Sequence, residues 1–139
     1  MSSTTGLYIN NPGNIRKSSI VWEGMVTPGS STNFVEFVSM AYGYRAMFLN
    51  IASYIDSGYN TIEKIINRWA PPSENNTSNY INNVQNWSGI DRGQVLTRND
   101  GDEIINIVAA ISKQENGVPA IISEVYAGFN LQDRIKKKV

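Results

Sequence analysis

The 139-residue chain contains no cysteine and no histidine. The first absence excludes disulfides and thiol nucleophiles. The two together exclude zinc sites built on Cys or His, and the second removes the Ser-His-Asp triad. Chemistry in this chain must rest on carboxylates, hydroxyls, amides, Lys or Arg, and no metal or cofactor is implied. Charge of either sign is also scarce: 12 basic and 12 acidic side chains cancel to a formal net charge of zero. A duplex nucleic-acid binder normally carries a clear basic excess, so nucleic acid is not an expected partner. No apolar run approaches the length of a membrane span. The start, Met1 to Gly6, is polar and has no signal-like stretch. The expectation is a product made in the cytoplasm without a signal peptide, carried by other means to wherever it acts.

What is present is one domain's worth of ordinary globular composition, 41% hydrophobic and 17% charged,. The expected boundaries are a single domain over 1–139, with a flexible N-terminus at 1–7 and a polar basic tail at 130–139. Arg134, Lys136, Lys137 and Lys138 make that tail basic. It reads as a solvated end, or as a weak attractor for an anionic polymer or another protein.

Asn10-Asn11-Pro12-Gly13-Asn14 is dense in turn formers and predicts an ordered loop. Ile20-Val21-Trp22 and the run from Asn33 to Val38 read as two short strands, joined through Thr27-Pro28-Gly29-Ser30 into a small hairpin. Helical spacing then takes over. Tyr44, Met47, Phe48, Ile51, Tyr54 and Ile55 mark a helix from Ala41 to Asp56, closed at Gly58. Thr61 caps a second helix running to about Trp69, stopped by Pro71-Pro72. A third begins near Asn76 and carries Tyr80, Ile81, Val84 and Trp87. Asp100 or Asp102 caps a fourth, from Glu103 to about Asn116, and a fifth follows from Pro119 to Tyr126. The sum is an α+β, mostly α domain with one small β-hairpin near the front.

The fourth helix carries the sharpest chemical signal. Ile104, Val108 and Ile111 form its apolar stripe. The next step along that stripe is Glu115, about 20° from the azimuth of Ile104 at 100° per residue. Partial burial and the negative end of the helix dipole both disfavour a carboxylate, so a Glu held there is expected to retain a proton, as a general acid must. Periodicity alone leaves a second reading, in which the helix frays and Glu115 points into water.

Three resemblances bear on that choice. Ile111-Ser112-Lys113-Gln114-Glu115-Asn116-Gly117 resembles the catalytic segment of soluble lytic transglycosylases and glucosaminidases, where an apolar helix ends in a catalytic Glu. Asn10-Asn11-Pro12-Gly13-Asn14-Ile15-Arg16, followed by Trp22-Glu23-Gly24, resembles the Asn-Asn-x-x-Gly-Ile-Lys and Trp-x-Gly segments of flagellar and autolytic glucosaminidases. In those enzymes it follows the catalytic helix, whereas here it precedes Glu115, so the resemblance implies a circularly permuted lysozyme-like fold. Finally, the Asn-Asn-Pro-Gly-Asn-Ile-Arg start, Phe34-Val35-Glu36-Phe37, Gly43-Tyr44-Arg45-Ala46, the segment Ile65 to Thr77 and Glu115-Asn116-Gly117 together resemble a group of phage virion-associated, lysozyme-like proteins.

These resemblances imply cleavage of peptidoglycan glycan strands, of lytic transglycosylase or muramidase and glucosaminidase type, with Glu115 as catalytic acid. Glu36 is then a candidate assisting carboxylate on the β-lobe, or else a solvent-facing strand residue. Asn11 and Asn14 become candidates for substrate contact. In the segment Arg68 to Thr77, Trp69 can stack on a sugar ring while Glu74, Asn75 and Asn76 offer hydrogen-bonding groups. The same segment also reads as a rigid loop between two helices. Tyr80 is a candidate both for the cleft and for the core, Glu23 reads as a surface residue, and Arg45 reads as a structural ion-pair partner. The partner implied is bacterial peptidoglycan, with other virion proteins beside it, and the protein would be virion-associated or released at lysis. The alternative is a non-catalytic virion structural or wall-binding protein on the same fold, since Lys113-Gln114 departs from the residues that usually precede the Glu.

Overall fold

A computed structural model describes residues 5–139 of the chain. Residues 1–4 of the expected flexible start lie outside the described residues, while Thr5–Tyr8 forms a single helical turn, α1. Five longer helices follow: α2 Met40–Asp56, α3 Ile62–Trp69, α4 Thr77–Ser88, α5 Gly101–Asn116 and α6 Ile122–Asn130. The protein is mostly helical, as expected from the apolar spacing.

Local chemistry explains where the helices start and stop. The Ser39 hydroxyl accepts from the Tyr42 N–H at the start of α2. Thr61 accepts from the Lys64 N–H at 3.2 Å and Asn76 from the Asn79 N–H at 3.1 Å, each satisfying one orphan donor of α3 and α4,. Glycines in the left-handed region end α4 (Gly89, φ 75°) and α5 (Gly117, φ 74°),. Asp100 behaves differently from the expected cap. It precedes α5, but its carboxylate makes no cap bond. It accepts instead from the Thr97 N–H at 2.7 Å and pairs with Lys138 at 2.9 Å.

The expected hairpin does not form. Ile20 and Val21 are 50% and 83% exposed and pair with nothing in the 33–38 segment. That segment runs between two irregular stretches, touching them through isolated bridges at Arg16–Phe34 and Met25–Phe37. Val35 N–H donates to Ile15 O on one side, and Val26 N–H to Glu36 O on the other. Both flanking stretches turn away before a ladder can propagate, one of them at Gly24 with φ 77°,.

Helix α2 is the spine of the core. Tyr44, Met47, Phe48 and Ile51 on it are fully buried, as are Ile104, Ile107, Val108 and Ile111 on α5. Helix α2 packs against α6 and α4 against α5. The α2–α6 approach is close because Gly128 has no side chain: a Cβ there would collide with Tyr44 and with the Ala41 carbonyl. Arg45 pairs with Glu23 at 3.5 Å and donates to Leu131 O at 3.3 Å, the structural role expected of it.

The 130–139 segment is docked rather than freely solvated. Ile135 is buried, Lys136 N–H donates to Arg98 O, and Gly101 N–H donates to Lys136 O. Arg134, Lys137 and Lys138 pair with Asp56, Asp102 and Asp100. The solvated-tail expectation missed the single apolar anchor at Ile135 and the acids waiting for those cations.

Candidate active site around Glu115

Two segments far apart in sequence meet at the end of α5. Asn14 has φ 50°, a left-handed conformation that Asn tolerates better than most residues,. This turn aims its Nδ2 at Glu115 Oε1, 2.7 Å away. From the other side the Tyr80 hydroxyl on α4 donates to Glu115 Oε2, also at 2.7 Å. The next residue, Asn116, is buried and donates through Nδ2 to Pro12 O at 2.9 Å, bonding the loop to the helix end a second time. The loop in turn lies flat on α2, because Gly43 leaves room for the Asn10 carbonyl and the Pro12 ring.

Glu115 is therefore gripped at both oxygens, with its side chain half-buried. Each carboxylate oxygen has a second lone pair, and those remain for a substrate. Burial, then the neighbouring Glu115 charge and the hydrogen bond to it, hold the Tyr80 phenol well above the ordinary tyrosine value,. Tyr80 is only 4% exposed. It is thus a site residue and a core residue together, and a dependable hydrogen-bond donor to Glu115.

Glu115 and Asn14 line a groove of about 460 Å³, within the size range of small-ligand sites. Its apolar surfaces include the rings of Trp22, Phe34, Tyr54 and Trp69. Trp69 meets Tyr54 edge-on with ring centroids 6.2 Å apart. Glu74 and Asn75 form part of the rim. Glu74 is exposed and lies 3.7 Å from Arg16, itself a groove residue stacked over Phe34.

No protein-family model matches the chain. Over 129 residues it is 40% identical to Protein P5 of Pseudoalteromonas phage PM2, an alignment covering 89% of this chain and 79% of that protein. The chain belongs to the Protein P5 family. It is therefore a phage-type protein.

Six of the residues expected at the site from sequence converge in this member of the Protein P5 family: Asn14, Trp69, Glu74, Asn75, Tyr80 and Glu115. Two do not. Asn11 is fully buried and faces its own backbone. Its Nδ2 donates to Ile15 O at 2.9 Å and Val35 O at 2.7 Å, and its Oδ1 accepts from the Ile15 N–H at 2.9 Å. Both amide hydrogens and the carbonyl oxygen are engaged in holding the loop and the residue is fully buried, so it is a structural residue and not a substrate contact,. Glu36 does not line the groove. Its carboxylate is taken up by Ser30, from the hydroxyl at 2.6 Å and the backbone N–H at 2.8 Å, and these two bonds hold it below the usual glutamate range.

Sequence reasoning missed most of the aromatic wall. Tyr54 belongs to the apolar stripe of α2 and reads as core, and Phe34 reads as a strand residue. Trp22 was marked by its Trp-x-Gly motif alone. Its indole N–H is buried with no hydrogen-bond partner among the described residues.

One consequence for pH follows from the buried phenols. Burial pushes Tyr44 up to about 12, the Ser112 hydrogen bond at 2.9 Å offsets part of this, and Glu124 adds to it. A folded-state value raised above the unfolded one means stability that is complete below pH 10 and lost as pH climbs towards 12. Two pH units correspond to about 3 kcal/mol. Urea melts should show this loss between pH 9 and pH 12, with Tyr44→Phe losing correspondingly less. Equal losses in the two proteins would place the alkaline instability elsewhere.

Proposed function

We propose that the protein cleaves the glycan strands of bacterial peptidoglycan, with Glu115 as general acid, on a lysozyme-like fold whose segments run in permuted order. The carrying observation is the placement of Glu115: a carboxylate fixed by Asn14 and Tyr80 at the wall of an aromatic-lined groove. The contact between the 10–14 loop and the end of α5 supports the permuted order, since the two motifs adjoin despite their separation in the chain.

In this reading Trp69 and its aromatic neighbours take the apolar faces of sugar rings. A proton on Glu115 passes to the glycosidic oxygen as the bond to the anomeric carbon breaks. The resulting carboxylate then draws a proton from the incoming hydroxyl as that oxygen bonds to the anomeric carbon. The hydroxyl is either water, giving a free reducing end, or a hydroxyl of the same sugar, giving an anhydro product. Asn14 and Tyr80 fix the carboxylate's orientation throughout, the preorganisation that such a step needs.

A second reading has its own observation. The bonds that grip Glu115 also tie the 10–14 loop and α4 to α5, a role that a purely structural virion protein would need as well. Incubation with purified sacculi separates the two. Glycan cleavage, seen as soluble fragments with either reducing or anhydro ends, is the expected result. Intact sacculi over a wide pH range would overturn the enzymatic reading in favour of a virion component that binds wall or capsid partners.

A further inference from the structure

Glu115 does not sit inside one groove but on a divide. Its Oε1 faces Asn14 in the aromatic groove, whereas its Oε2 faces Tyr80, which borders a second depression of about 320 Å³. Glu74, Asn75 and Glu115 line both. The second depression has almost no aromatic face, because Tyr80 is buried. Its walls are the carboxamides of Asn75, Asn76, Asn79, Asn83 and Gln114.

The sequence explains this concentration. Asn76, Asn79, Tyr80 and Asn83 fall at i, i+3, i+4 and i+7, one stripe along α4. That stripe faces the last turn of α5, where Asn83 Nδ2 donates to Gln114 Oε1 at 2.8 Å. That bond uses neither the Asn83 carbonyl nor the Gln114 amide hydrogens, an acceptor and a donor on two neighbouring side chains,. The acetamido group of an amino sugar carries the complementary donor and acceptor. No Lys or Arg lines the depression, and two carboxylates border it, so anionic ligands are disfavoured. A simple cation would use the acceptors and leave the amide donors without partners.

We propose that this depression is a second saccharide site, which binds N-acetylated sugar units through their acetamido groups. A glycan then lies across Glu115, stacked on rings on one side and read by carboxamides on the other. The choice of ligand rests on the glycan-cleaving reading of Glu115. The site predicts attack on linkages within a strand rather than at its tip, because sugars are held on both sides of the acid.

The test is a titration of nitrogen-15-labelled protein with the tetramer of N-acetylglucosamine, and separately with cellotetraose, which lacks the acetamido groups. The N-acetylated tetramer should shift the side-chain amide signals of Asn79, Asn83 and Gln114 together with the indole signals of Trp22 and Trp69. Cellotetraose should leave the amide signals in place. In the double variant Asn79→Ala, Asn83→Ala, affinity for the N-acetylated tetramer should fall about tenfold, as expected for two lost hydrogen bonds. The indole shifts and the melting temperature should persist in that variant. Indole shifts without amide shifts, equal amide shifts with cellotetraose, or no response to either oligomer would overturn the proposal. Failure of the catalytic reading looks different. Amide shifts in a protein that leaves sacculi intact would keep this site and remove Glu115 as an acid, while cleavage without amide shifts would do the reverse.

Discussion

Replacing Glu115 with Gln should abolish glycan cleavage while leaving the fold intact. The amide keeps the volume of the side chain, and its Oε1 still accepts from Asn14. The Tyr80 hydroxyl can rotate from donating to Oε2 to accepting from the new amide nitrogen, so neither bond need be lost,. What disappears is the transferable proton. Loss of a positioned acid–base group costs about 10²–10⁴-fold in rate. The expected result is a drop of at least that size in sacculus digestion, with stability within about 1 kcal/mol of the parent by the usual scale for a single replaced hydrogen bond. Glu36→Gln is the matched control. Its carboxylate is engaged by Ser30 away from the groove, so the variant should digest sacculi at the parent rate. A folded Glu115→Gln protein as active as its parent would remove the residue from the mechanism.

The second large effect is on stability and falls at Asn11. Truncation to Ala would strand two buried backbone groups at once, the Ile15 N–H and the Val35 carbonyl, and would leave the Ile15 carbonyl with the Val35 N–H as its one donor. A buried polar group left without a partner costs about 1–3 kcal/mol. A total of at least ~2 kcal/mol is a sizeable part of the ~5–15 kcal/mol that keeps a domain folded. Thermal melts should fall by on the order of 10 °C. Asn14→Ala, three residues along, should behave in the opposite way, melting near the parent while sacculus digestion drops. If Asn11→Ala melts with the parent, the loop is held by something other than this side chain.

The pair Asn11 and Asn14 shows what was legible in the sequence and what was not. A motif brings both residues to notice, but only backbone conformation separates them. Asn14 stands at φ 50° with its amide aimed at Glu115, whereas Asn11 turns inward onto its own loop. Residue type carries no record of that difference. Helices were readable because their signals are local: apolar spacing along α2 and α5, and the caps at Thr61 and Asn76. The position of Glu115 was readable for the same reason, since it continues the stripe of Ile104, Val108 and Ile111. The hairpin was not, because pairing between strands is a property of the partner. The 33–38 segment has the composition of a strand but meets flanks that turn away from it. Glu36 was misplaced along with the hairpin, and the ring of Tyr54 was hidden in a stripe that looked like core.

The bond from Asn14 to Glu115 joins residues 101 positions apart. Closing so long a loop costs more entropy than nearer contacts do, although that cost grows only slowly with length. During synthesis the early loop therefore has no carboxylate to meet until most of the chain has left the ribosome. On the glycan-cleaving proposal, a nascent or half-folded chain is chemically silent. The contact exists only where the whole domain does, so on the glycan-cleaving proposal any local opening that frees the loop from the helix end would switch off the acid before the core has melted.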